Sequence, residues 1–153
     1  MVKVFIFYDS KYGNTKLASE KIAEGLRTEA VDVDLGYVKE IRPEVAANYD
    51  VIVLGAPNHM ASPSQAMKNF IDQLAKVDLK ARFVTVFGTY AGRERLQDRA
   101  ERKLEAMTQT KLPKMKLLSP GLSVHVRGVS GPMVDGELQK CLVFGKRLAQ
   151  QVR

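Results

Sequence analysis

The chain has 153 residues, enough for one domain with a buried core, and its 45% hydrophobic and 27% charged residues are ordinary for a globular protein. No apolar run approaches the roughly 18 residues that span a bilayer. A single cysteine, Cys141, excludes an internal disulfide and a cysteine-built metal site, and a net charge of +7 directs attention to anionic partners or ligands.

The N-terminus enters strand-like sequence at once, so no signal peptide is expected and the expected location is the cytoplasm. Val2 to Tyr8 is a near-continuous apolar run, as in a strand covered on both faces. From Thr15 the period changes. Ala18, Ile22 and Leu26 recur every four residues, which predicts an amphipathic helix over 15–27. Val31, Val33 and Leu35 then alternate with Asp32 and Asp34, the pattern of an edge strand with one wet face. Val51 to Leu54 is a second buried strand. Ser62-Pro63-Ser64-Gln65 reads as a helix start, with Ser62 as the cap, Pro63 in the first turn and Gln65 completing a capping box. Met67, Phe70, Ile71 and Leu74 mark that helix's buried face. Phe83 to Phe87 is a third buried strand, and Leu96, Ala100, Leu104 and Met107 mark the next helix. Leu117-Leu118, a Pro120-Gly121 break and Leu122 to Arg127 make a fifth, interrupted strand in which His125 reads as structural. Leu138, Leu142, Gly145, Leu148 and Ala149 mark a closing helix that takes Cys141 as a core thiol.

Strands alternating with helices imply an α/β fold: a parallel, doubly wound sheet with helices on both faces. Ligands of such sheets bind beyond the carboxyl ends of the strands, which points to the loops after Tyr8, Leu54 and Phe87.

The first loop is Ser10-Lys11-Tyr12-Gly13-Asn14-Thr15. Gly13 lets the backbone approach a ligand, Ser10, Asn14 and Thr15 supply donors, and the helix start adds unpaired N–H groups. The two readings are a phosphate-monoester site and a capped turn. Neither the Walker pattern nor the three-glycine dinucleotide fingerprint is present. The second loop, Gly55 to Ser62, holds Pro57, Asn58, His59, Met60 and Ala61; the third is Gly88-Thr89-Tyr90-Ala91-Gly92. A planar aromatic ligand between them would take backbone hydrogen bonds at its polar edge, with Tyr90 and His59 or Met60 against its faces. His59 reads either as a general base or as a plain loop residue.

S-x-Y-G-N-T at Ser10–Thr15 is similar to the FMN-phosphate loop of the flavodoxin family, which the whole chain resembles. Tyr12 resembles the flavodoxin domain of flavo-diiron proteins and the flavodoxin-like quinone oxidoreductases, and F-G-T-Y-A-G at Phe87–Gly92 and the stretch Leu118–Ala149 look most like the flavo-diiron type. No long insertion splits the fifth strand, as in short-chain members, and the diiron domain is absent, so oxygen or nitric oxide reduction does not carry over. The resemblance implies one three-layer domain over 1–153, with a five-stranded parallel sheet in the order 2-1-3-4-5. It implies FMN as cofactor and no metal. Ser10, Lys11, Tyr12, Gly13, Asn14 and Thr15 would hold the phosphate. Pro57, Asn58, His59, Met60 and Ala61 would lie along the ring and its N5 side. Gly88, Thr89, Tyr90, Ala91 and Gly92 would cover the other face, with Tyr90 stacking.

The implied role is an electron carrier between a reductase and an acceptor protein. The alternatives are an FMN-dependent NAD(P)H:quinone oxidoreductase, which M-K-N-F-I-D-Q-L at Met67–Leu74 also resembles, and a flavin-less docking module. Two departures from the family carry expectations. Pro57 to Pro63 contains no glycine, so a peptide flip beside flavin N5 costs more and the one-electron form is weakly stabilised. The +7 charge favours acidic redox partners, such as a ferredoxin-like carrier or reductase, over the basic partners of acidic flavodoxins. Arg93 to Lys116 carries eight basic against four acidic residues, as a solvated face with pairs such as Asp98–Arg102 or as a docking face. The absence of a helix-turn-helix, basic arm or aromatic platform argues against nucleic acid.

Overall fold

The structure is a computed structural model that describes residues 1–59, 62–92, 99–128 and 130–153, with Ala100 by its backbone alone. The elements are β1 (Lys3–Tyr8), α1 (Asn14–Thr28), β2 (Asp32–Tyr37), a 3-10 turn (Pro43–Ala46), β3 (Val51–His59), β4 (Ser62–Pro63), α2 (Gln65–Leu74), β5 (Phe83–Ala91), α3 (Arg99–Lys111), β6 (Lys116–Leu117), β7 (Leu122–Val126) and α4 (Glu137–Val152).

The sheet runs β2-β1-β3-β5, and both β6 and β7 pair with the outer edge of β5. All these pairs are parallel. The two short segments are the halves of the expected interrupted fifth strand, so the layout matches the order 2-1-3-4-5. The addition is β4, two residues antiparallel to the end of β3. Strand alternation divides the core in two. Val4, Ile6, Val53 and Phe87 pack with Ile22, Leu26 and Leu148 on the α1/α4 side. Phe5, Phe7, Ile52, Leu54, Val84 and Val86 pack with Phe70, Ile71 and Leu104 on the α2/α3 side. Each such side chain contributes about 1.5–3 kcal/mol by leaving water. α1 and α4 approach closely because Gly25 lies against the Leu142 carbonyl and Gly145 against that of Ile22; a Cβ on either would stand 2.2 Å from the oxygen.

The start of α2 differs from the expectation. Ser64, not Ser62, is the N-cap, its Oγ accepting the Met67 N–H at 3.4 Å. Ser62 and Pro63 instead form β4, opposite His59 and Asn58. Proline suits this two-residue edge because it has no N–H to place in a ladder. Gln65 does not complete a box: its Nε2 donates to Asn69 Oδ1 at 2.9 Å, one helical turn on. The expected helix marker Leu96 and the pair Asp98–Arg102 fall on or reach residues outside those described.

A second difference positions the site. β3 runs on to His59 and β5 to Ala91, so the first residues of the second and third loops are strand. They stay extended because they pair with each other, Ala56 with Gly88 and Pro57 with Thr89, and because Tyr90 pairs with His125 of β7.

Candidate functional site

β1 ends at Tyr8, and the Asp9 N–H donates to the Gly55 carbonyl at 3.0 Å, fixing the first turn against β3. Ser10 Oγ then accepts the Gly13 N–H at 3.1 Å and the Lys16 N–H at 3.4 Å. Ser10 thus caps α1 from outside, because Gly13, the N-cap residue at φ 93°, has no side chain to do so. The N–H groups of Asn14 and Thr15, in the first turn, have no acceptor within the helix and sit at its positive end. A Cβ on Gly13 would meet nothing within 4 Å, so the backbone there is open to a ligand. Lys11 and Tyr12 are exposed, with Nζ 5.3 Å from the ring centroid, a cation–π contact.

Thr15 turns inward. Its Oγ1 lies 2.8 Å from Thr89 Oγ1, joining the first loop to the third inside the protein. In the second loop Pro57 and Asn58 are half-buried and His59 is exposed, while Met60 and Ala61 lie outside the described residues. The Pro57 carbonyl accepts the Ser64 N–H at 3.1 Å. Asn58 Oδ1 is buried without a hydrogen-bond partner among the described residues, a state that costs about 1–3 kcal/mol unless a donor arrives.

In the third loop Gly88, Thr89 and Tyr90 are buried and Ala91 is half-buried. The Tyr90 ring is 4% exposed and lies flat on His125, centroids 4.6 Å apart and planes 1° from parallel. His125 Nε2 is 2.9 Å from the Gly92 carbonyl, so this nitrogen carries the hydrogen and donates. Gly92 has φ 106° and, like Gly13, open space where a Cβ would stand. The residue read as structural is therefore the tie between β7 and the third loop.

Sequence reasoning missed a fourth segment at this end of the sheet, the connection from β7 to α4. It folds back on itself: Val126 bridges Met133, and the Arg127 N–H donates to the Pro132 carbonyl at 2.8 Å. Gly131, at φ 90°, rests on the side chain of Asn14 in the first loop. The available signal was G-V-S-G-P directly after a parallel strand.

The remaining chemistry is spare. His59 is exposed, and burial pushes the Cys141 thiol up to about 12, so Cys141 is not prepared as a nucleophile. No group of three or more His, Cys, Asp or Glu among the described residues could hold a metal ion. On α3, Glu101 and Glu105 turn inward and accept the Gly121 N–H at 3.0 and 2.7 Å, leaving Arg99, Arg102, Lys103 and Lys111 on the exposed side. Lys111 reaches Asp72 of α2 at 3.0 Å.

A family model for a flavodoxin domain matches residues 5–126. A flavodoxin of Aquifex aeolicus (strain VF5) is 39% identical over 75 residues, 48% of this chain, which spans 40% of the length of that relative. An NAD(P)H dehydrogenase (quinone) of Paracoccus denitrificans (strain Pd 1222) is 26% identical over 148 residues, covering 84% of this chain and 71% of the other. Among solved structures, a flavodoxin from the domain Archaea aligns with a TM-score of 0.81 at 22% identity over 99% of both chains. The rubredoxin oxygen:oxidoreductase of Desulfovibrio gigas aligns with a TM-score of 0.78 at 17% identity, over 98% of this chain and 36% of that one.

Proposed function

This chain belongs to the flavodoxin family, and on that footing we propose that it binds FMN and carries electrons between a reductase and an acceptor protein. The observation that carries the reading is the convergence of the three loops, with Thr15 and Thr89 joined beneath the open backbone of Gly13 and Gly92. The residues present fit such a ligand. The first-turn N–H groups of Asn14 and Thr15 and the charge of Lys11 suit the phosphate, around the cap that Ser10 makes with the Gly13 and Lys16 N–H groups, with Tyr12 exposed beside it. Pro57, Asn58 and His59 would lie along one side of the ring, the side to which the family resemblance also assigns Met60 and Ala61, and Asn58 Oδ1, without a hydrogen-bond partner among the described residues, would be available to a hydroxyl of the ribityl chain. Gly88, Thr89, Ala91 and Gly92 offer backbone groups to the other edge, and Tyr90 is held beside them by His125. When bound, FMN supplies the redox chemistry through its isoalloxazine ring.

Titrating the flavin-free protein with FMN tests this. Quenching of flavin fluorescence that saturates at one equivalent, with a rise in melting temperature, is expected. FMN fluorescence that stays unchanged rejects it.

The long match to the quinone dehydrogenase favours one second reading, an FMN-dependent NAD(P)H:quinone oxidoreductase. Steady-state NAD(P)H oxidation with a quinone separates the two, since a carrier turns over next to none.

For the carrier, acidic redox partners fit best, because the inward turn of Glu101 and Glu105 leaves the outer side of α3 basic. Electron-transfer rates with such partners fall as salt rises. Rates that climb with salt contradict the assignment.

A further inference from the structure

The β7–α4 connection reaches across the end of the sheet to the first loop. β7 pairs with β5, and β5 is separated from β1 by β3, yet Gly131 lies directly on Asn14. A Cβ at Gly131 would stand 2.6 Å from Asn14 Oδ1, 2.8 Å from Nδ2 and 3.0 Å from Cγ. Real Cβ atoms do not approach so closely, so any other residue here must push the Asn14 amide aside, and the φ of 90° adds backbone strain. The Asn14 amide makes no hydrogen bond among the described residues. It stands against Gly131, beside the open N–H groups of the α1 start.

The contact also closes a circuit. Thr15 ties the first loop to Thr89, His125 ties the third loop at Gly92 to β7, and Gly131 ties the segment after β7 back to Asn14. The segment is itself braced by the Arg127–Pro132 and Gly131–Gly128 backbone hydrogen bonds, at 2.8 and 3.0 Å.

We propose that Gly131 is a specificity-determining residue of the flavin site. It holds the Asn14 amide toward the phosphate end and walls that end, so that the site selects a flavin ending in a phosphate monoester. This rests on the flavin-binding reading above and adds a fourth segment to it. Gly131 acts as a positioning residue, through Asn14.

The test compares binding of FMN and of riboflavin, which lacks the phosphate, by fluorescence quenching. Wild-type protein is expected to prefer FMN strongly. Gly131→Ala pushes the Asn14 amide aside and weakens FMN binding on the order of tenfold, the scale of one lost hydrogen bond to a charged group. Riboflavin binding changes little. On an Asn14→Gly background, where there is no amide to displace, adding Gly131→Ala produces no further loss of FMN preference. The circular dichroism and melting temperature of the flavin-free variants confirm that each is folded; if Gly131→Ala is not, Gly131→Asn, which tolerates positive φ but keeps the Cβ, takes its place. Equal weakening of FMN and riboflavin, or the same loss with and without the Asn14 side chain, overturns the proposal. A wild-type protein that binds neither flavin overturns the flavin reading itself, and the proposal with it.

Discussion

The hydroxyls of Thr15 and Thr89 meet 2.8 Å apart, one in the first turn of α1 and the other near the end of β5, at 1% and 4% exposure. Either can be the donor. Removing one hydroxyl leaves the other buried and unpaired, whereas removing both leaves two apolar groups of the same shape in contact. Thr15→Val or Thr89→Val alone is therefore expected to cost about 1–3 kcal/mol. The double valine variant costs less than the sum of the two. Urea unfolding of the three variants measures the coupling, and additive losses would show that the pair is not a bonded unit.

Gly55 and Phe87 are paired across β3 and β5, and the Phe87 ring fills the space above Gly55. A Cβ at Gly55 would lie 2.0 Å from Phe87 Cζ. Gly55→Ala must displace a wholly buried ring and is expected to cost at least the ~1–3 kcal/mol typical of overpacking. Gly88→Ala is the control, because the nearest atom to its Cβ is the Ala56 carbonyl oxygen at 3.5 Å, an ordinary van der Waals contact. A shift of the urea midpoint for Gly55→Ala that is no larger than for Gly88→Ala would count against this packing.

The two serines before α2 separate in the same way. Ser64→Ala removes the oxygen that accepts the Met67 N–H and is expected to cost about 1 kcal/mol. Ser62→Ala, in β4, removes no cap and leaves the melting temperature nearly unchanged. The opposite ranking would restore Ser62 as the cap.

Burial pushes the Cys141 thiol up from 9.0 to about 12, with nearby Glu137 as a smaller cause in the same direction. The unfolded chain loses this proton near 9.0, while the folded chain keeps it until about 12. The contribution is full below the first value and is lost as pH rises toward the second. The loss of stability between those limits should be smaller in Cys141→Ala than in wild type. At neutral pH a disulfide reagent should label the thiol only after denaturant is added; rapid labelling of the native protein would show that the site opens.

In the proposed flavin site, Asn58 would bear on how the flavin is reduced. Among the described non-glycine residues only Ala30 has positive φ, so Asn58 does not hold the turned conformation that a flip beside the flavin needs. The Pro57 carbonyl next to it is already bonded to the Ser64 N–H, and breaking that bond adds to the cost. Anaerobic photoreduction of the FMN-loaded protein followed by absorbance should pass through little of the blue one-electron form. A large blue yield at neutral pH would sink this account.

Much of the architecture is written locally in the chain. Runs such as Val51 to Leu54 and Phe83 to Phe87 are apolar on both sides because the strands they form are covered on both faces. Ala18, Ile22 and Leu26 are buried together because a helix brings every fourth residue to one face. Alternation of these two periods fixes the parallel sheet, and the parallel sheet fixes which loops share an end. The glycine and small polar residues of Ser10 to Thr15 can be read the same way, since a turn and a helix start are local events. The meeting of Thr15 with Thr89, of Tyr90 with His125 and of Asn14 with Gly131 has no local signature. Each joins residues far apart in the chain, and each depends on strand register and on where a connection happens to fold back. The cap of α2 moved from Ser62 to Ser64 for the same reason: β4 pairs with β3, and only that pairing decides where the helix can begin. The sequence by itself determined the layers and the end of the sheet that carries the site. The tertiary structure decided which side chains face one another there, because register and close approach arise only once the whole sheet has assembled.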